Sequence, residues 1–536
     1  MPDLPTITTG PAQDGIAKPD GSHTPVPESI MARTARGAGW VVGWRMTRRL
    51  LGLANTLILV RLLVPADFGL IALGVSFSGM VEQFSAIGVE DALIRDGRAD
   101  RDLYDTGFTM NALRGLAIAA VLAVAAGPLA DAFHDARLTS VILVLAACSL
   151  VTSLTNIGVV EFRRDIAFHK EFALLIVPRV CAIAVTIGMA LSLRSYWALL
   201  GGVTTARVMG LIMSYTMHPY RPRFALRAWR RLAGFSAWSW ALMAVQVVRD
   251  QSVIFLVGRT LGDTMVGIYS IGAEVASLPT TEVVGPFTRA CFSGFSAARH
   301  SGEAPSGSYL RVVGAVALLT LPAGLGISAL AGPLTHLLLG AKWTSAIWVI
   351  ALLGPFCGTT VFGLISETLL SAYGMLGTMF KISAFFAFTR TAFLVLMLLE
   401  AGFRGAIIAI GLGIMVEHFS YVALTVRRFR IPLRDLLAVI WRSFLGCAAM
   451  AAVLIGTGLG WGAASGGPVA LAARVALGVV VGGLAYGATV LIGWRVAGCP
   501  PGAERDVLGI LQVRQRLRWL WKLAFGLLPG SRPSTL

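Results

Sequence analysis

The chain has 536 residues, 56% of them hydrophobic and only 14% charged, with a mean hydropathy of +0.74. Soluble globular chains are about a quarter charged, so this composition excludes a soluble enzyme, and one membrane anchor of roughly 20 residues could not raise the average this far. A net charge of +17 would suggest nucleic acid in a soluble protein; in a chain of apolar blocks it points to basic cytoplasmic loops and no nucleic-acid partner.

Residues 1–36 are polar and rich in Pro, Gly and Thr, the composition of a disordered tail, here a cytoplasmic one. From Gly37 onward fourteen apolar segments follow, at 37–63, 67–90, 108–130, 138–160, 172–193, 196–217, 232–258, 264–288, 310–334, 344–370, 382–400, 405–426, 437–461 and 468–494. Each is close to the length a helix needs to cross a bilayer. The class is an all-α polytopic membrane protein with about fourteen transmembrane helices.

Charge placement tests that count. With the N-terminus in the cytoplasm, and with Arg61, Arg311 and Arg442 at the span ends counted with the loops beside them, 30 of the 45 Lys and Arg fall in cytoplasmic segments, 6 on the opposite side and 9 further within the spans. This obeys the positive-inside rule with both termini cytoplasmic. The outer loops are mostly a few residues long, which leaves no room for an external catalytic domain. Residues 503–528 combine Leu511, Leu517, Trp521 and Phe525 with Arg514, Arg516, Arg518 and Lys522. That pattern fits a basic amphipathic helix lying on anionic membrane lipid, with a partner-binding helix as the other reading.

A repeat is visible. LVRLLVPADFGLIALG (59–74) matches LVGRTLGDTMVGIYSIG (256–272) with one gap, at an offset of roughly 197 residues, or six spans. An even number of spans gives both copies the same orientation, so parallel six-helix lobes are expected at 37–217 and 232–426, with spans 13–14 (437–494) appended.

The run LILVRLLVPADFGLIALGVSFSGMVEQFSAIGVEDALIR (57–95) resembles the first helical hairpin of the polysaccharide transporter family. These are the lipid-linked oligosaccharide and O-antigen flippases of the multidrug/oligosaccharidyl-lipid/polysaccharide exporter superfamily. EFRRDIAFHKEF (161–172) and GIYSIGAEVASLPTTEVVGPFTRACFSGFS (267–296) are similar to an inner loop and the eighth helix of such proteins. The resemblance covers about 37–430. It implies export of an undecaprenyl-diphosphate-linked glycan across the bacterial inner membrane, for exopolysaccharide or lipopolysaccharide synthesis, by alternating access of two lobes. Polysaccharide polymerase machinery is the protein partner that would follow. The family has no universal catalytic motif to carry over.

Charges within spans are costly unless they face a cavity or a partner. Arg45, Arg48 and Arg49 recur at i, i+3, i+4 in the first span, with Asn55 and Thr56 further along. Guanidinium forks match phosphate oxygens and cannot be neutralised, so a diphosphate is a sensible ligand; snorkelling to inner-leaflet lipid is the alternative. Arg114, Arg179, Arg249 and Arg390 extend the cationic candidates, Arg207 and Arg474 being the other lone basic residues inside spans. Arg249 and Asp250 are adjacent on one helix and are expected to look to other helices rather than to each other. Asp250, Glu274 and Glu367 are candidates for a coupling proton or ion, or for ion pairs with the arginines. Glu274 shares its span with Pro279 and Pro286, and Glu417-His418 is a further polar pair.

The six cysteines are scattered, with no CxxC pair or zinc spacing, and no phosphate loop or hydrolase motif occurs. No cofactor, metal or catalytic residue is expected. Two other readings stand beside the flippase. One is a multidrug or peptidoglycan-precursor transporter of the same superfamily; the other is a membrane glycosyltransferase or ligase, which the short loops disfavour.

Overall fold

The computed structural model describes residues 47–85, 88–95, 100–165, 167–232, 237–302, 304–462, 466–500, 502 and 504–505. The N-terminal tail, Arg45 and nearly all of the 503–528 segment lie outside these residues. Among the described residues the chain is helical, without strands. The long helices are α1 (47–62), α2 (Pro65–Phe84), α3 (Arg101–Phe133), α4 (Arg137–Ser153), α5 (Phe168–Leu193), α6 (Trp197–Met217) and α7 (Ala237–Leu261). They continue with α8 (Asp263–Ser301), α9 (Ser306–Ala329), α10 (Ala346–Ala372), the continuous run Leu376–Arg428, and two more after it.

That run contains 53 residues and would be about 80 Å long if straight. It is not straight. Gly402 takes φ 58°, ψ −143°, and Ser383 Oγ lies 2.6 Å from the Tyr421 hydroxyl. Residues 38 apart can meet only if the chain reverses, so 376–401 and 403–428 are two antiparallel helices, α11 and α12. Glycine permits this reversal because it has no Cβ to clash at positive φ. The last two helices are α13 (Leu433–Gly456) and α14 (Pro468–Val496).

Where it is described, each apolar segment of the sequence overlaps one of these helices, the first of them only from residue 47 onward. Nine helices among the described residues are long and apolar enough to cross a membrane by length and composition, the Leu376–Arg428 run being counted as one of them. Several exceed their apolar segments: α8 runs thirteen residues past the expected end at 288, and α3 begins at Arg101 rather than 108. We call the face at which α1 begins the inner face.

The repeat reappears in the packing. In the first half α4 packs on α2, α3 and α6, and α5 packs on α6; in the second half α10 packs on α8, α9 and the 376–428 hairpin. The sequence match places Gly74 opposite Gly272 in register. A Cβ on Gly74 would lie 2.5 Å from Val141 on α4, and one on Gly272 2.7 Å from Val349 on α10. Small residues let these backbones approach closely, which is how helices associate without a hydrophobic gradient between them. The pair α13–α14 is fastened to the second half. The Tyr486 hydroxyl donates to the Leu318 carbonyl of α9 at 2.9 Å, and the Trp461 amide donates to the Ala329 carbonyl at 2.7 Å.

The halves are joined most extensively at the outer end. Pro65 starts α2 at the position where its missing N–H costs nothing, and Gly262, at φ 82°, turns α7 directly into α8. Around these two turns one apolar core contains Val60, Leu70 and Val141 of the first half together with Val257, Trp343 and Val349 of the second. At the inner end the core divides into separate clusters, one around Leu93, Leu103 and Phe108, another around Phe295, Tyr309 and Ile365. Polar tethers reinforce the outer seam. Arg61 donates to the carbonyls of His336, Leu337 and Leu338, the buried Trp343 indole donates to the Val60 carbonyl at 2.9 Å, and Arg137 meets Asp263 at 2.8 Å. On the inner side the Trp240 indole donates to the Phe84 carbonyl at 2.9 Å, so α2 and α7 stay together along their length.

Candidate functional site: two polar clusters, one in each half

The first half encloses a cavity of about 390 Å³ between α1, α2, α4, α5 and α6. Asn55, Ser78, Glu82, Arg179 and Arg207 supply its polar lining. Glu82 is held from α4, accepting from the Ser149 hydroxyl at 2.6 Å. Arg207 reaches within 4.0 Å of the other Glu82 oxygen and donates to Thr152 Oγ1 at 3.2 Å. Gly52 on α1 makes room for Arg179, since a Cβ there would lie 3.2 Å from its Nη2. Two guanidiniums against one carboxylate leave this cavity with a cationic surplus.

Arg114 takes a different place. It donates to the Ser85 hydroxyl at 3.0 Å and to the Glu82 carbonyl at 2.9 Å, capping the inner end of α2, where free carbonyls and the helix dipole favour a cation. Arg48 is exposed and Arg49 half-buried in the first described turn of α1. Arg45 lies outside the described residues.

The second cluster sits among α7, α10, α11 and α12. Glu417 is 1% exposed and accepts from Arg249 Nη1. Arg249 Nε also donates to Asp250 at 2.9 Å, which corrects the expectation that these neighbours look only to other helices. The arginine stem is long enough to curl back, and Asp250 is largely exposed on the flank of α7. Arg390 lies across Gly413, where a Cβ would come 2.8 Å from its Cγ, and its buried Nε makes no hydrogen bond. His418 follows Glu417 and packs on Gly363 of α10, its Nδ1 likewise unbonded.

Glu367 faces a separate cavity of about 490 Å³ near the inner end, with Thr288, Thr368 and Ser371 in its wall. Among the described ion pairs neither Glu367 nor Glu274 takes part. Glu274 is half-buried on α8. The cluster itself sets Asp250 and Glu417 against Arg249 and Arg390 and so lacks the cationic surplus of the first-half cavity. Among the described residues no group of three or more His, Cys, Asp or Glu side chains converges to hold a metal ion.

Of the seven cationic candidates Arg45 lies outside the described residues; Arg48, Arg49 and Arg179 stand on helices of the first half, Arg249 and Arg390 on helices of the second, and Arg114 caps α2. The serines and threonines that hold Glu82 and Arg207 escaped the sequence reading, because such residues are ordinary in apolar helices. Asp67 escaped it too. It is buried in the first turn of α2 and accepts from the Tyr196 amide at 3.0 Å, tying the α1–α2 turn to the α5–α6 turn. Its position two residues after Pro65 was the available signal.

The family described as "Polysaccharide biosynthesis protein" matches residues 58–348, more than half of the chain. The chain belongs to that family. Over 332 residues it is 25% identical to the succinoglycan biosynthesis transport protein ExoT of Rhizobium meliloti (strain 1021), covering 61% of this chain and 66% of that one. It is 21% identical, also over 332 residues, to the lipopolysaccharide biosynthesis protein WzxC of Escherichia coli (strain K12), covering 61% and 67%. The teichuronic acid biosynthesis protein TuaB of Bacillus subtilis (strain 168) is 20% identical over 50% of this chain and 56% of its own. These matches thus span about two thirds of their relatives or less.

Among solved structures the fold is that of the lipid II flippase MurJ in an inward closed conformation. The TM-score is 0.68 at 12% identity, over 85% of this chain and 99% of that one. A multidrug resistance MATE family transporter of the MOP superfamily, in its inward-facing conformation, gives 0.59 at 15% identity over 72% and 94%.

Proposed function

We propose that this family member is a flippase that moves an undecaprenyl-diphosphate-linked oligosaccharide across the bacterial inner membrane for surface polysaccharide synthesis. The observation that carries the reading is the cationic cavity of the first half, set beneath an outer end where the two halves share one core. Guanidiniums in a water-poor site hold a diphosphate better than water does. A protein closed outside can load its cargo from within and release it only after the halves rock.

On this reading the chain crosses the membrane fourteen times with both termini in the cytoplasm. Residues 37–217 and 232–426 are the moving lobes, 437–494 braces the second lobe, and 503–528 rests on the inner leaflet. Arg48, Arg49, Arg179 and Arg249 attract the anionic head group. Glu367, facing a cavity without an ion-pair partner, is the position for a coupling proton or cation, with Asp250 and Glu274 as lesser candidates. Movement requires no covalent chemistry and no cofactor, and the released glycan passes to polymerase machinery.

The test is the lipid-linked glycan pool in a strain lacking the protein, resolved by membrane side. Accumulation on the cytoplasmic side with loss of surface polysaccharide supports the proposal. An unchanged pool with altered drug tolerance points to the multidrug reading, and accumulation of the peptidoglycan precursor points to that cargo. A truncated glycan already outside overturns transport in favour of a transferase or ligase.

A further inference from the structure

The connection between the halves is not a slack linker. After α6 ends at Met217, residues 218–228 run without helix along the inner end of α3 and are bound to it at successive points. The Arg223 amide donates to Asp105 at 2.8 Å, the Ala225 amide to Thr109 Oγ1 at 2.9 Å, and the Ala228 amide to Thr106 Oγ1 at 3.2 Å. The Tyr220 hydroxyl donates to the same Asp105. Burial and that hydrogen bond push the Tyr220 phenol well above its usual range, so it remains a donor. The Asn156 side-chain amide donates to the Tyr220 carbonyl at 2.7 Å. The backbone of this strap is bound on its inward side, Tyr220 turns inward with it and Arg221 reaches back to the His218 and Tyr220 carbonyls, while Phe224, Leu226 and Trp229 are left exposed.

What faces away is specific in composition. Residues 218–230 contain no Asp or Glu. Arg221, Arg223, Arg227 and Arg230 are all exposed, and among the described ion pairs none of the four takes part. Interleaved with them are Phe224, 75% exposed, Leu226, 46%, and Trp229, 50%. The Arg230 guanidinium sits 5.7 Å over the Trp229 ring. Trp240, at the foot of α7, is exposed as well.

Arginines alone would be an ordinary solvated loop, and large apolar side chains alone would be a liability. The combination, at the level where helices leave the bilayer, matches one environment. Aromatic rings sit in the headgroup region while basic groups pair with lipid phosphates. Each basic residue near an anionic leaflet adds to the attraction, and this contribution falls with salt.

We propose that the 220–230 strap is a docking surface for anionic phospholipid headgroups of the inner leaflet. Because its backbone is fastened to α3, the bound leaflet would hold the first half in place while the second half moves against it. The assignment does not depend on which cargo is carried.

The test replaces Phe224 by the photoreactive amino acid p-benzoylphenylalanine in the full-length protein, reconstituted in vesicles of equimolar phosphatidylglycerol and phosphatidylcholine. Irradiation is followed by mass measurement of the modified peptide. Adducts are expected to favour phosphatidylglycerol by about threefold or more. That preference should collapse to the vesicle composition in the R221Q/R223Q/R227Q/R230Q variant. Should that variant fail to fold, raising the salt to about 0.5 M on the unaltered strap must weaken the preference in the same way. Adducts that follow the vesicle composition from the start overturn the proposal. So does labelling of protein or water alone, which would make the strap a protein-docking or solvated surface.

Discussion

Gly69 on α2 and Gly267 on α8 face each other reciprocally across the seam between the halves. A Cβ on Gly69 would collide with the Asp263 carbonyl oxygen, and a Cβ on Gly267 with the Pro65 carbonyl oxygen. The two glycines are equivalent positions of the sequence repeat, and each meets the residue that begins the other's helix. Neither alanine fits without separating the helices, a mismatch worth about 1–3 kcal/mol in a packed interface. We expect Gly69→Ala and Gly267→Ala to part the outer ends while leaving the protein in the membrane. A cysteine at the buried Val257, unreactive in the parent, should then react with an impermeant maleimide added from outside.

Trp343 tests the same seam by a gentler change. Its ring packs edge-on against Phe68 at 5.3 Å while its indole reaches across to the Val60 carbonyl. Trp343→Phe should keep most of the packing and lose the hydrogen bond, lowering stability in detergent by ~1 kcal/mol. Chemical unfolding followed by near-ultraviolet dichroism reads this directly. No change would mean that the tether contributes nothing.

In the second half, Arg249→Ala strands the buried Glu417 carboxylate. The expected cost is about 3–5 kcal/mol, most of it recovered in R249M/E417L, because removing both charges also removes their desolvation penalty. Thermal unfolding of the purified variants separates this from function. We expect export to be lost in both, so recovered stability without recovered surface polysaccharide would assign the pair a role in transport. Recovery of both would make it a brace.

The first-half cavity yields opposite signs for neighbouring residues. If its cationic surplus holds a diphosphate, Arg179→Gln and Arg207→Gln should each weaken binding of a lipid diphosphate about tenfold. Glu82→Gln, which keeps an acceptor for Ser149 while removing the negative charge, should leave binding intact or strengthen it. Equilibrium binding to full-length protein in detergent checks all three. Weakening by Glu82→Gln would exclude simple electrostatics.

How much of this was legible in sequence depends on the range of the interaction. Hydropathy marked the helices because crossing a bilayer imposes a length and an apolar composition on each one. The repeat located Gly69 and Gly267 because packing demands glycine at both. Pairings such as Arg249 with Glu417, 168 positions apart, leave no local trace, since either charge alone reads as a candidate for any partner. Arg114 looked like a cavity residue and is a helix cap, because the carbonyls it serves exist only once α2 ends near Ser85. The two separate segments expected at 382–400 and 405–426 became one continuous run because Gly402 reverses the chain without a loop.

The outer clamp has a defined pH response. Arg137 bridges Asp135, at 2.8 Å, to Asp263. Although partial burial works in the other direction, the Arg137 hydrogen bonds hold the Asp135 carboxyl below its ordinary range. A depressed folded value means that the stabilisation is fully present above the unfolded pKa of about 3.9 and is lost only as pH falls through the folded one. The outer seam should therefore be indifferent to pH between about 5 and 8 and loosen only in stronger acid. Maleimide reaction of the Val257→Cys protein across that range measures it; opening near pH 6 would assign control to another group.

Because α7 passes into α8 through Gly262 alone, and α11 into α12 through Gly402 alone, the chain offers no free ribbon at these points. A protease must draw an extended segment into its cleft, and an antibody needs a protruding epitope; neither finds one at such turns. Topology mapping by limited digestion would be silent there, so single-cysteine labelling is the method that can report.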